Sequence, residues 1–187
     1  VEEGLPDNRL CTVGHPGWET APPIPLKSSR IAVFLGSPIR RDYGSRLGYD
    51  EESAFDLVFE TARTFPSLTD QLVYAQHPQQ DKIRACGTEV RRFSADLLQN
   101  CGIVLGTFSA PMVDAFLAGR CVVSVQPGAV GPDMCPLSRH RRIPRCDTVE
   151  QLADALSSPP RDASSLRDIL SGSKERFEVC IREALVT

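Results

Sequence analysis

From residue 30 onward, short and wholly apolar runs alternate with longer stretches whose apolar residues return every three or four positions. Ile31-Ala32-Val33-Phe34-Leu35 has no polar member and is stopped by Gly36-Ser37-Pro38, which predicts a strand covered on both faces. Asp50 stands at the N-cap of a helix predicted over 51–64, with Phe55, Val58, Phe59 and Ala62 on one face. Gln71-Leu72-Val73-Tyr74-Ala75 predicts a second core strand, closed by Gln76-His77-Pro78. A short helix over 80–86, a strand over 90–93 and a helix over 95–100 capped by Ser94 follow.

The clearest unit spans 102–125. Gly102-Ile103-Val104-Leu105 reads as a strand and Gly106-Thr107-Phe108-Ser109 as a tight turn into a helix over 110–118. Pro111 suits the first turn of that helix, and Gly119 suits the left-handed position after its end. Cys121-Val122-Val123-Ser124-Val125 is the next strand, so the two strands are expected to be parallel neighbours. Residues 126–147 read as a long loop rich in Gly, Pro and Arg, a length that marks a functional or mobile segment. Thr148 and Gln151 have capping-box spacing at the start of a helix to about 156, and helices over 163–171 and 173–185 end the chain.

Residues 1–29 form a lead-in, with a short strand over 9–13 and a Pro-rich linker over 21–25. The expected organisation is this lead-in followed by an α/β domain over 30–187: a Rossmann-like parallel sheet with helices on both faces. In such sheets a ligand lies beyond the carboxyl ends of the strands. The loops after Leu35, Ala75, Leu105 and Val125 are therefore the ones expected to carry function.

Composition narrows the function. The 187 residues suffice for one domain with a substantial core. A net charge of −3 argues against a nucleic-acid partner, and no apolar run is long enough to span a membrane. The 7 cysteines are odd in number with no C-x-x-C spacing, which favours a reducing cytoplasm over a disulfide framework and disfavours zinc; Cys101 and Cys121 are expected to be buried. The start lacks both a Met and a signal-peptide pattern, so an excised domain is expected. Three histidines without G-x-S-x-G give no hydrolase triad. The absence of a Walker A loop, and of G-x-G-x-x-G after a strand, disfavours ATP and NAD.

What remains is a set of polar residues at predicted strand ends. Gly106, Thr107 and Ser109 precede a helix whose unpaired N–H groups and partial positive charge suit a phosphate; the plain alternative is that Ser109 only caps the helix. Asp114, five residues on, either meets a ribose diol or faces solvent. His77, held extended before Pro78, either serves as donor and acid–base group or is a structural turn residue. Gly36, Ser37 and Arg40, with Arg41, resemble a second anion-facing loop; the plain alternative is that the arginines sit on a solvated surface. The basic stretch Arg139, His140, Arg141, Arg142 and Arg145 either clamps a diphosphate, meets a partner domain or is simply solvated.

Together these pieces resemble a known class. Gly4-Leu5-Pro6 through Val13-Gly14-His15-Pro16 is similar to the crossover into the C-terminal domain of GT-B glycosyltransferases and UDP-N-acetylglucosamine 2-epimerases. Ala75-Gln76-His77-Pro78 resembles the His-Pro element of bacterial sialyltransferase, polysialyltransferase and glycerophosphotransferase relatives. Gly106-Thr107-Phe108-Ser109 with Asp114-Ala115-Phe116-Leu117-Ala118-Gly119 resembles their Ser/Thr turn and following acidic residue, with Asp114 where glutamate is more usual. The resemblance implies the C-terminal half of a GT-B enzyme. It would bind a UDP-, CDP- or CMP-linked sugar, with phosphates at Thr107 and Ser109, ribose on Asp114 and His77 as the catalytic group. Transfer would need an absent N-terminal acceptor domain. No cofactor is expected, and no metal, since there is no Asp-x-Asp pair. The clustered glutamates of the epimerases are missing, which makes a hydrolysing epimerase the weaker alternative; a non-catalytic nucleotide-binding or scaffold domain is another.

Overall fold

Strand follows helix along the chain as the apolar pattern requires. A computed structural model describes residues 13–19, 29–80, 85–158 and 162–186. In chain order the elements are α1 (Pro16–Glu19), β1 (Ile31–Leu35), α2 (Ile39–Tyr43), α3 (Glu51–Thr64), β2 (Gln71–Gln76), β3 (Glu89–Arg92), α4 (Ala95–Asn100), β4 (Ile103–Gly106), α5 (Ala110–Leu117), β5 (Cys121–Val125), α6 (Pro136–Arg139), β6 (Arg145–Cys146), α7 (Val149–Ser157), α8 (Ser164–Leu170) and α9 (Ser173–Val186). They fall into two compact units, one of residues 23–162 and one of residues 1–22 with 163–187.

The larger unit is a six-stranded sheet in the order β3-β2-β1-β4-β5-β6, with every neighbouring pair parallel. The chain runs outward from β1 to β3, then returns to the far side of β1 and runs outward again. Val33 is the hinge of this order, paired with Val73 of β2 on one side and Val104 of β4 on the other. This is the Rossmann arrangement, and the reversal between β1 and β4 opens a crevice at the carboxyl ends of the strands.

Period-two alternation divides the apolar residues between the two faces. Ala32, Phe34, Tyr74, Leu105, Val123 and Val125 pack with Ala54, Phe55 and Val58 of α3 and Leu152 of α7. At the centre Phe34, Phe55 and Tyr74 make mutual ring contacts with centroids 4.9–5.3 Å apart. On the opposite face Gly106 abuts Met112 of α5 so closely that an added Cβ would lie 3.3 Å from its sulfur and from the Leu35 Cβ. Arg120, just before β5, is fully buried and donates to the carbonyl of Gln99 in α4.

Most predicted elements stand where the pattern put them, with local differences. The buried face of α3 is Ala54, Phe55, Leu57, Val58 and Thr61, so Phe59 and Ala62 sit at its margin. Ser94 makes no side-chain capping bond. Thr148 does accept from Gln151 N–H, but the Gln151 side chain reaches the amide of Asp147 rather than that of Thr148. The long loop over 126–147 contains α6 and the two-residue strand β6, neither of which the pattern announced. Cys101 is buried as expected, whereas Cys121 is only half-buried. The expected strand over 9–13 apart from Val13, which is not in a strand, the linker over 21–25, and the centre of the helix over 80–86 lie outside the described residues. Among the described residues no helix is long and apolar enough to cross a membrane.

In the smaller unit, the Glu19 carboxylate accepts from the amides of Gly172 and Lys174 at 2.6 and 2.7 Å, which caps α9. These two amides hold its carboxyl below the usual value. Arg176 ties the same corner together by donating to the carbonyls of Val13, Ile169 and Ser171.

Helix α3 starts with a reciprocal cap: Asp50 Oδ1 accepts from Ser53 N–H at 2.9 Å, and Ser53 Oγ accepts from Asp50 N–H at 3.0 Å. Partial burial pushes the Asp50 carboxyl up, but the Ser53 amide and the Arg40 guanidinium outweigh it and hold the group below its ordinary value. Its stabilisation is therefore complete above the unfolded pKa of about 4 and fades as pH falls through the lower folded value. Asp50→Ala is expected to cost about 1 kcal/mol in urea unfolding at pH 7. That deficit should shrink progressively as the pH is taken below about 4.

Candidate functional site

Each strand of the crevice ends in a turn that the sequence makes unavoidable. Gly36, following β1, closes on its neighbour: its N–H donates to Ala75 O at 2.9 Å, and an added Cβ would lie 2.3 Å from Gln80 Oε1 and 2.8–2.9 Å from the Tyr74 ring and hydroxyl. Only glycine lets these groups approach so closely. Gln80 uses this proximity to bind two loops together. Its Nε2 donates to Tyr74 Oη at 3.1 Å and to Ser37 O at 3.3 Å, while its Oε1 accepts from His77 N–H at 3.0 Å. Burial pushes the Tyr74 hydroxyl up to about 12, partly offset by the Gln80 bond, so it stays protonated in this network.

A cavity of about 420 Å³ opens over these turns. Gly36, Ser37, Pro38 and Asp42 line it from the β1 side, His77, Pro78 and Gln79 from β2, Phe93 from β3, and Phe108, Ser109, Ala110 and Pro111 from β4 and the start of α5. Tyr43 and Phe108 meet edge to face across it at 5.6 Å, joining the β1 loop to the β4 turn. The loop after Val125, expected to take part, does not line the cavity. It supports the wall from behind: Val130 N–H donates to Leu47 O, and Ala129 and Met134 pack on the cluster of Ile39, Leu47 and Tyr49 that also touches Phe108.

The structure therefore brings together Gly36, Ser37, His77 and Ser109. The Nδ1 of His77 accepts from Gln79 N–H at 3.2 Å, so the neutral ring carries its proton on Nε2. His15 uses the same device in the other His-Pro pair, accepting from Trp18 N–H and stacking on the Trp18 ring. Arg40 lies elsewhere. Its guanidinium donates to Asp50 and Glu52, and its backbone N–H to Glu51. Arg41 reaches across to Gln79 Oε1 at 2.8 Å and pairs with Asp42. That Arg41 bond holds the Asp42 carboxyl below its ordinary value. Asp42, Tyr43, Gln80, Phe93 and Phe108 are site residues to which the sequence assigned no role.

Gly106 is buried beneath α5, so its part is close packing. Thr107, expected to meet phosphate, is 1% exposed and does not line the cavity, and its Oγ1 has no hydrogen-bond partner; the Oγ of Ser109, which does line it, is likewise shielded and unpartnered, and makes no capping bond. Among the described residues the backbone N–H groups of Phe108, Ser109 and Ala110 also make no hydrogen bond. Asp114 projects from α5 into solvent and does not line the cavity. Arg139, His140 and Arg141 are exposed and precede β6, and Arg145 is engaged with Asp147; none of the four lines the cavity.

Gly36→Ala forces Gln80 off its three partners. It is expected to lower stability by about 1–3 kcal/mol in chemical denaturation. It should also loosen the His77 turn, read as faster hydrogen exchange at the His77 amide.

No protein-family model matches the chain, and no curated protein matches it. Two solved structures that it resembles are the beta Kdo 2,7 transferase KpsC of Thermosulfurimonas dismutans and the glycotransferase of kitacinnamycin. The first is 21% identical with a TM-score of 0.42, over 70% of this chain and 46% of that one. The second is 16% identical with a TM-score of 0.45, over 80% of this chain and 39% of that one. The chain thus spans less than half the length of either.

Proposed function

We propose that this chain is the donor-binding half of a GT-B-type group-transfer enzyme of the cytoplasm. Its cavity would take the diphosphate of a nucleotide-linked sugar at the start of α5. The observation that carries the reading is the set of unused donors there. The Ser109 hydroxyl is shielded without a partner, and the amides of Phe108, Ser109 and Ala110 are unbonded, with the unpartnered Thr107 hydroxyl buried next to them outside the cavity lining. A shielded hydroxyl without a partner costs about 1–3 kcal/mol, which an incoming phosphate oxygen would recover. The first turn of α5 has no acidic residue to oppose an anion.

The long helix α3, which leads from the β1 loop to β2, is closed to the same ligand. The start of α3 already carries Asp50, Glu51 and Glu52, with Asp50 bonded to the Ser53 amide. A dinucleotide held after β1 in the usual Rossmann manner would meet these carboxylates. In the proposed reaction a nucleophile of the acceptor forms the new bond to the sugar as the bond to the diphosphate breaks and the nucleotide diphosphate departs with the bonding electrons. The amides, the α5 dipole and the Ser109 hydroxyl stabilise the charge that develops on it. The Nε2–H of His77 provides one further donor. The aromatic wall of Tyr43 and Phe108 limits water, Asp114 takes the ribose diol from the exposed side of α5, and the acceptor is held by a separate N-terminal domain.

Calorimetric titration with UDP, CDP and CMP tests this. At least one is expected to bind with a millimolar or lower dissociation constant, and Ser109→Ala should weaken it about tenfold, the loss of one charge-assisted hydrogen bond. Asp114→Asn should weaken the nucleotide but leave inorganic pyrophosphate unaffected. If none of the three binds at millimolar concentration, a scaffold domain replaces the proposal.

A further inference from the structure

Behind the proposed phosphate turn lies a buried polar chain that neither the sheet nor the cavity requires. Ser124, 0% exposed in β5, donates its hydroxyl to Thr107 O at 2.6 Å. Gln126, 1% exposed, donates from Nε2 to Ser124 Oγ at 2.8 Å and to Asp133 Oδ1 at 2.7 Å. The Asp133 carboxylate also accepts from Cys135 N–H at 2.9 Å and from Ser138 Oγ at 2.6 Å. The direction of every bond is fixed. The carboxylate only accepts, so the amide must donate to it; the second amide hydrogen then goes to Ser124, whose own proton is left for Thr107.

The endpoint of this relay is a backbone carbonyl, and that determines its effect. In a planar trans peptide the C=O of Thr107 and the N–H of Phe108 point in opposite directions. Drawing the carbonyl toward Ser124 turns the Phe108 N–H away from the core, and that N–H is one of the three unbonded amides. Isolated, a buried Ser in β5 and a buried Gln just after it would cost stability; satisfied at each step, they make a rigid support.

We propose that Ser124 and Gln126, anchored by Asp133, are positioning residues that preset the peptide between Thr107 and Phe108 for anion capture. This rests on the reading of the α5 start as a phosphate seat. It also assigns a role to the loop after Val125, which holds the cavity without touching it: through Asp133, the order of the 133–138 segment is transmitted to the turn.

The test uses the full chain, inorganic pyrophosphate as the probe, and the backbone amide resonances of Phe108 and Ser109. Ser124→Ala removes the bond to Thr107, and Gln126→Met keeps the volume while removing the donors behind it. Pyrophosphate is expected to shift both amides in the wild-type chain. Both variants should shift these resonances in the free state and raise the pyrophosphate dissociation constant, by about tenfold for Ser124→Ala and less for Gln126→Met. If Ser124→Ala does not fold, Gln126→Met decides the matter. Wild-type affinity in variants that merely melt earlier would overturn the proposal and leave a structural role. A wild-type chain that fails to bind pyrophosphate would overturn the reading of the seat, and this proposal with it.

Discussion

An open parallel sheet presents two helix N-termini at the point where its strand order reverses, and here one of them is taken by the protein's own carboxylates. Asp50 caps α3, Glu51 and Glu52 stand in its first turn, and Arg40 neutralises part of that charge from outside. The start of α5 is the opposite case: Pro111 removes one N–H, Ser109 leaves its hydroxyl unspent, and three successive amides remain unbonded. Field, donors and space are the three features on which the proposed anion seat at α5 rests. The remainder of the site follows from that asymmetry.

Rigidity around that seat is supplied by loops clamped to one another. Gln80 holds the β2 loop to the β1 loop, and the missing side chain of Gly36 makes room for it. On the other side Gly48, with φ of +78°, lies so close to Gly128 that an added Cβ would be 2.4 Å from its carbonyl oxygen. The 36–50 loop is thereby fixed at both ends, one toward β2 and one toward the segment after β5. Tyr43 is carried into contact with Phe108 as a result.

The sheet was legible because each of its buried strands is a nearly continuous apolar run, and because Asp50, Pro111 and Gly119 mark helix ends by mechanisms that operate locally; Gly119 has the expected left-handed φ of +75°. Strand β6 was not legible, since two residues carry no periodicity and its register comes only from pairing with Ser124 and Val125. The place of Gly36, Ser37, His77 and Ser109 at the strand tips around the cavity was legible because glycine, proline and capping residues after a strand signal a turn there. The place of Arg40 was hidden, as its carboxylate partners are 10 and 12 residues away and are brought close only by the turn of α2 into α3. Gln80, Gln126 and Asp133 were hidden for a related reason: a buried amide or carboxylate is read from its partners, and sequence does not give partners across strands.

The claim that the α5 start is the anion seat is tested most directly by a crystal structure of the chain soaked with UDP. The account expects the diphosphate within hydrogen-bond distance of the Phe108, Ser109 and Ala110 amides, with Ser109 Oγ donating to it. A diphosphate bound instead at the 36–50 loop or at the start of α3, with those amides still unoccupied, would contradict it.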